Sequence, residues 1–118
     1  MSGWIGVDLD GTLAQYGGWV DEHHIGAPIP AMVERVKQWL SEGREVRIFT
    51  ARVAVADGNL ARSGPEQISE SIQQWCEKHI GQRLAVTNVK DFGMICLYDD
   101  RCIQVERNTG RLIGAKEE

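Results

Sequence analysis

Two carboxylates two residues apart close the apolar run Ile5-Gly6-Val7, in Asp8-Leu9-Asp10-Gly11-Thr12. Anions set so close repel unless a cation or a proton intervenes. A hard cation such as Mg²⁺, its shell completed by a phosphate oxygen, suits an all-oxygen donor set. Four further polar residues flank other apolar runs: Thr50 after Val46-Arg47-Ile48-Phe49, Lys90 ahead of Met94 to Tyr98, and Asp99-Asp100 directly after it. If these runs are parallel strands, the set converges on the crevice at their carboxyl ends, where open α/β sheets bind ligands. A hydroxyl, an ammonium and four carboxylates meeting there suit phosphoryl transfer with bound Mg²⁺.

The elements that would position this set alternate between strand and helix. Ile29, Met32, Val33, Val36, Trp39 and Leu40 recur at helical spacing, with Pro30 in the first turn and Gly43 past the end. Ile68, Ile72, Trp75 and Cys76 make a second stripe, opened by Pro65, with Ser63 and Glu66 at capping-box spacing and Gly81 as its stop. Strands are expected near residues 45–50, 83–87 and 94–98, and a closing hairpin at 103–113 around Asn108-Thr109-Gly110. The expected fold is a three-layer, Rossmann-like α/β domain spanning 1–118, with a mostly parallel central sheet. Two stretches stand outside this frame. Residues 14–26, rich in Gly, Tyr, Trp and His, are long enough for a flap, and residues 53–64 form a mobile loop of functional length.

Composition narrows the classes. The 118 residues carry 13 basic and 17 acidic side chains, so no overall pull toward nucleic acid is expected. No apolar run is long enough for a bilayer, and the first strand begins too early for a signal peptide, so a cytoplasmic protein without membrane contact is expected. Cys76, Cys96 and Cys102 read as reduced thiols, with Cys96 in the core.

In its Asp8-Leu9-Asp10-Gly11-Thr12, Thr50, Lys90 and Asp99-Asp100, in that order, the chain resembles the haloacid dehalogenase superfamily of aspartate-nucleophile phosphohydrolases. The resemblance implies that Asp8 attacks phosphorus and that Asp10 protonates the leaving oxygen and then deprotonates water. It makes Thr50 and Lys90 the residues that hold the phosphoryl group, and Asp8, Asp10 (through its carbonyl), Asp99 and Asp100 the ligands of Mg²⁺. Gly11 would present backbone N–H groups to the phosphoryl oxygens. Thr12, Ala51, Arg52 and Trp19 are further candidates for contacting the substrate or its phosphate, Arg52 with a surface ion pair as its equal alternative. Taken one at a time, Asp10-Gly11 also suits a plain turn and Lys90 a solvated lysine.

Neither gap between these motifs has room for the cap domain that many members insert, so a capless form is expected. A flap, a homo-oligomeric partner or the substrate itself would then have to exclude water. The expected substrate is a small phosphorylated metabolite. The Asp-x-Asp-Gly-Thr-Leu-Ala opening and Asp-Asp-Arg close also look similar to the phosphatase part of polynucleotide kinase/3′-phosphatases, which keeps a nucleic-acid 3′-phosphate as an alternative. A phosphate-binding module without turnover is a third reading.

Overall fold

Trp4–Val7, an uninterrupted apolar run, forms β1, and every one of its residues is buried. Only an interior strand of a parallel sheet is covered in this way. The computed structural model describes residues 2–54 and 64–114. Within them the order is β1, α1 (Pro30–Ser41), β2 (Glu45–Phe49), α2 (Pro65–His79), β3 (Ala85–Thr87), β4 (Met94–Tyr98), and a hairpin of β5 (Gln104–Val105) and β6 (Leu112–Ile113). The main sheet runs β3-β2-β1-β4, and all three of its pairings are parallel. This is an α/β, Rossmann-like fold.

Local chemistry explains the boundaries. Pro30 sits in the first turn of α1, where its missing N–H costs nothing, and Gly43 leaves the helix region with φ 78°. On α2 the first cap lies one residue later than the Ser63–Glu66 spacing suggests: Gln67 Oε1 accepts the Gly64 N–H at 3.1 Å. Ser63 lies outside the described residues, as does most of the 53–64 loop. Met32, Val33 and Val36 of α1 and Ile68, Ile72, Trp75 and Cys76 of α2 share one core with Ile5, Val7, Val46 and Ile48.

Both helices therefore cover the same face of the sheet. Successive right-handed crossovers from β1 to β2 to β3 require this. The chain then returns to the far side of β1 through residues 88–93, without a helix. That segment crosses the other face, where Asp91 Oδ1 accepts from Trp4 Nε1 at 2.8 Å and Arg47 lies 3.7 Å from Asp91 Oδ2. The expected third layer thus reduces, among the described residues, to an extended crossing that leaves Val89 and Phe92 exposed. Cys96, expected in the core, is also exposed. It lies on β4, an edge strand with β1 as its sheet partner among the described residues. No helix among the described residues is long and apolar enough to cross a membrane.

Candidate active site

The strand order reverses between β1 and β4, and the carboxyl ends of β1, β2 and β4 open there into a cleft of about 420 Å³. Asp8 follows β1, and its N–H donates to Tyr98 O at 2.8 Å, which locks the end of β1 to the end of β4. That bond brings Asp99 and Asp100 beside Asp8, with one carboxylate oxygen from each of the three within 4.8 Å of the others. Asp8 pays electrostatically for this company. Burial, a hydrogen bond shared with Asp100 and the charges of Asp99 and Asp100 push its carboxyl up to about 7. Three hard oxygen donors at this spacing fit a divalent cation such as Mg²⁺, which would supply the missing positive charge.

Thr12 and Gly11 pack against this cluster. The buried Thr12 hydroxyl lies 3.3 Å from both Asp8 Oδ2 and Asp100 Oδ1, and accepts the Asp100 N–H at 3.0 Å. Gly11 adopts φ 85°, and a Cβ there would collide with the Asp100 carboxylate. The Gly11 N–H itself donates to Ala14 O at 2.8 Å, so any backbone N–H presented to a phosphoryl oxygen comes from a neighbour of Gly11. The Thr12 N–H is likewise engaged, with Leu9 O at 3.3 Å.

Asp10 faces another way. Arg52 grips it with a two-pronged pair, Nε to Oδ2 and Nη2 to Oδ1, both at 2.8 Å. Of the two expectations for Arg52, an ion pair is the one the structure shows, though the arginine is buried, 7% exposed, rather than at the surface. It is aimed by the short 3₁₀ turn Ala51–Val53, which starts at Thr50; Thr50 Oγ1 accepts the Arg52 N–H at 3.2 Å. Arg52 also donates to Glu22 O at 3.1 Å, and its guanidinium lies 5.3 Å from the centre of the Trp19 ring. The Asp10 side chain is therefore separate from the three-carboxylate group.

The flap is a folded loop. Gln15 N–H donates to Ala27 O, Trp75 Nε1 to Gly26 O, and Asp21 Oδ1 accepts the N–H groups of His23 and His24. His23 Nδ1 and Ser71 Oγ are hydrogen-bonded at 2.6 Å, which fastens the flap to α2.

Of the residues singled out from sequence, Asp8, Asp10, Thr50, Ala51, Arg52, Trp19 and Asp100 line the cleft, and Asp99 completes the acidic group. Lys90 does not line it. It is exposed on the 88–93 crossing and borders a separate cavity along β4 with Met94, Asp99 and Cys102. Sequence reasoning did not single out Tyr16, Glu22 or Arg101 as lining residues. Tyr16 and Glu22 carried no signal beyond lying in the flap, and Arg101 one no stronger than adjacency to Asp100.

The fold and site define an α/β domain with an acidic cleft at its topological switch point. Among solved structures it resembles a conserved protein from Bacteroides thetaiotaomicron, with a TM-score of 0.59 and 20% identity over 86% of this chain and 78% of that one. A likeness at that identity establishes the fold alone. No family model matches the chain, and no curated protein matches it.

Proposed function

We propose that this protein is a Mg²⁺-dependent phosphatase that hydrolyses a phosphate monoester through an aspartyl-phosphate. The observation that carries the reading is the division of one cleft into the Asp8–Asp99–Asp100 group and a separately held Asp10. Asp8, Asp99 and Asp100 are the residues that would hold the cation, which supplies positive charge to offset the carboxylates and to polarise a phosphoryl oxygen. Asp8 attacks phosphorus and the alcohol departs, taking a proton from Asp10, which first loosens from the Arg52 fork and takes up that proton from solvent or from the substrate monoanion. Asp10 then removes a proton from water, which attacks the aspartyl-phosphate and returns Asp8 with release of phosphate. Thr50, fixed at the end of β2, and Arg101 are the remaining polar groups from the carboxyl edge that can contact the phosphoryl oxygens. Arg52 acts as a positioning residue for Asp10. The similarity to haloacid dehalogenase-type phosphohydrolases supports the same assignment.

The placement of Lys90 outside the cleft favours a second reading, a phosphate-binding module without turnover. Phosphate release from a panel of monoesters, with and without Mg²⁺, separates the two. Turnover that needs Mg²⁺ and falls by about 10³-fold or more in Asp8→Asn is expected, since an attacking group is lost. Activity that survives Asp8→Asn would sink the covalent route, and absence of turnover on every ester would favour the binding module.

A further inference from the structure

Resting on the phosphatase reading, we propose that the substrate is a nucleoside monophosphate whose base stacks on Trp19, with Tyr16 as the second aromatic wall. Trp19 is 60% exposed and Tyr16 50%, although both belong to a loop tied down at several points. Large rings held in water by a folded loop, at the mouth of a cleft sized for a small molecule, form a stacking platform.

The position of Trp19 relative to the chemistry selects what stacks there. Its ring lies against the Arg52 guanidinium, and Arg52 holds Asp10. Asp10 is the group that would protonate the departing alcohol, so Trp19 stands on the leaving-group side of the cleft. Whatever is attached to the leaving oxygen extends toward it. A bare sugar leaves both rings in contact with water, whereas a flat base covers one.

Charge limits the number of phosphates. Asp8, Asp10, Glu22 and Asp100 line the cleft against Arg52 and Arg101, and Arg52 already neutralises Asp10. With a divalent cation bound, these four carboxylates are matched by four positive charges and Asp99 adds one more negative charge, so the cleft has no surplus positive charge to offer a chain of phosphates. A polynucleotide needs several backbone-facing cations. The chemistry therefore favours a mononucleotide over a nucleic-acid end.

The test compares AMP, ribose 5-phosphate and a 3′-phosphorylated oligothymidylate as substrates of the full chain with Mg²⁺. Removing an aromatic stacking partner weakens base recognition by about tenfold or more. The kcat/KM ratio of AMP to ribose 5-phosphate is therefore expected to be about 10 or above, to fall to about 1 in Trp19→Ala, and to recover largely in Trp19→Phe. A ratio near 1 in the unaltered protein, or one that Trp19→Ala leaves unchanged, overturns the base subsite while leaving the phosphatase reading intact. Preference for the oligothymidylate over AMP overturns it in favour of a nucleic-acid substrate. AMP binding is also measured by calorimetry in EDTA, where turnover is stopped. Binding about tenfold weaker in Trp19→Ala, with no turnover of any ester, would retain the base subsite and sink the phosphatase. AMP binding indifferent to Trp19 sinks the subsite.

Discussion

Asp8 and Asp10 are two residues apart on one strand end, yet they occupy opposite electrostatic surroundings. Asp8 lies among anions, with Asp99 and Asp100 raising its proton affinity. Asp10 lies in the fork of a buried arginine. The Asp10 half of the cleft is complete within the protein, because its charge is matched and its orientation set by two bonds. The Asp8 half is complete only with a proton or a cation. The two halves should therefore answer to different perturbations, the first to Arg52 and the second to metal and pH.

The largest effect is expected from removing Arg52. Its side chain is 5% exposed and that of Asp10 21%, so the pair is screened little by solvent. Breaking one partner of such a pair costs about 3–5 kcal/mol, because the other charge is left uncompensated. Arg52→Ala should lower the unfolding free energy by that order and release the flap, which loses its bond to Glu22 O and its contact at Trp19. Arg52→Lys keeps the charge without the fork and should fall between. Chemical denaturation with and without Mg²⁺ checks the comparison: the stability drops, while the increment given by Mg²⁺ persists. A cost below about 0.5 kcal/mol would mean the pair behaves as a surface bridge and would remove the distinction between the halves.

What could be read from the sequence follows the same division. The acidic group was legible because each member sits directly at the end of an apolar strand, where spacing alone fixes position. The core stripes of both helices were legible from their period. Lys90 was not legible in this way, since its place depends on how the chain returns from β3 to β4. An extended crossing over the open face puts Lys90 in the cavity along β4, which it shares with Asp99, and local pattern does not encode that path. Cys96 was misplaced for a related reason: an apolar strand reads the same at a sheet's edge as in its middle. Arg52 joins Asp10 across 42 residues of chain, and no local signal distinguished that partner from solvent. Thr12 and Gly11 were found as site residues, but their bonds to Asp8, Asp100 and Ala14 were not legible, because a motif shows which residues gather and not which bonds they make among themselves.

A smaller effect is expected at Gly11, which belongs to the Asp8 half. Its φ of 85° is unfavourable for any residue with a Cβ, and the added carbon would meet the Asp100 carboxylate. Gly11→Ala should destabilise by about 1–3 kcal/mol, the range for backbone strain of this kind. Unlike Arg52→Ala, it should also shrink the Mg²⁺ increment, because Asp100 must shift away from Asp8. Thermal melts with and without Mg²⁺ read both. Loss of stability with an unchanged Mg²⁺ increment would show that the position of Asp100 is immaterial to the cation.

The sharpest test of the Asp8 half is the pH dependence of the Mg²⁺ increment, the smallest of the three readouts. The carboxyl of Asp8 is raised in the folded protein from the ordinary 3.8 to about 7. Between roughly pH 4 and pH 7 the folded chain therefore holds a proton that the unfolded chain releases. The metal-free protein should lose stability as pH rises through that window. A cation bound at Asp8, Asp99 and Asp100 replaces the proton, so Mg²⁺ should stabilise more at about pH 8 than at about pH 6. At ten times its dissociation constant the increment would be about 1.4 kcal/mol. The carboxylates of Asp21, Glu70, Asp91 and Glu106, lowered by their hydrogen bonds, lose their stabilising effect in more acid solution, outside this window. His79, lowered by burial, titrates with the opposite sign to Asp8. Its contribution is the same with and without Mg²⁺, so the increment isolates the cleft. In Asp8→Asn the metal-free protein should hold its stability better toward alkaline pH, because one anion of the crowd is gone, and the Mg²⁺ increment should lose its dependence on pH. An increment equal at both pH values in the unaltered protein would mean that no proton is displaced, and Asp8 would then resemble Asp10, matched from the start by the protein itself.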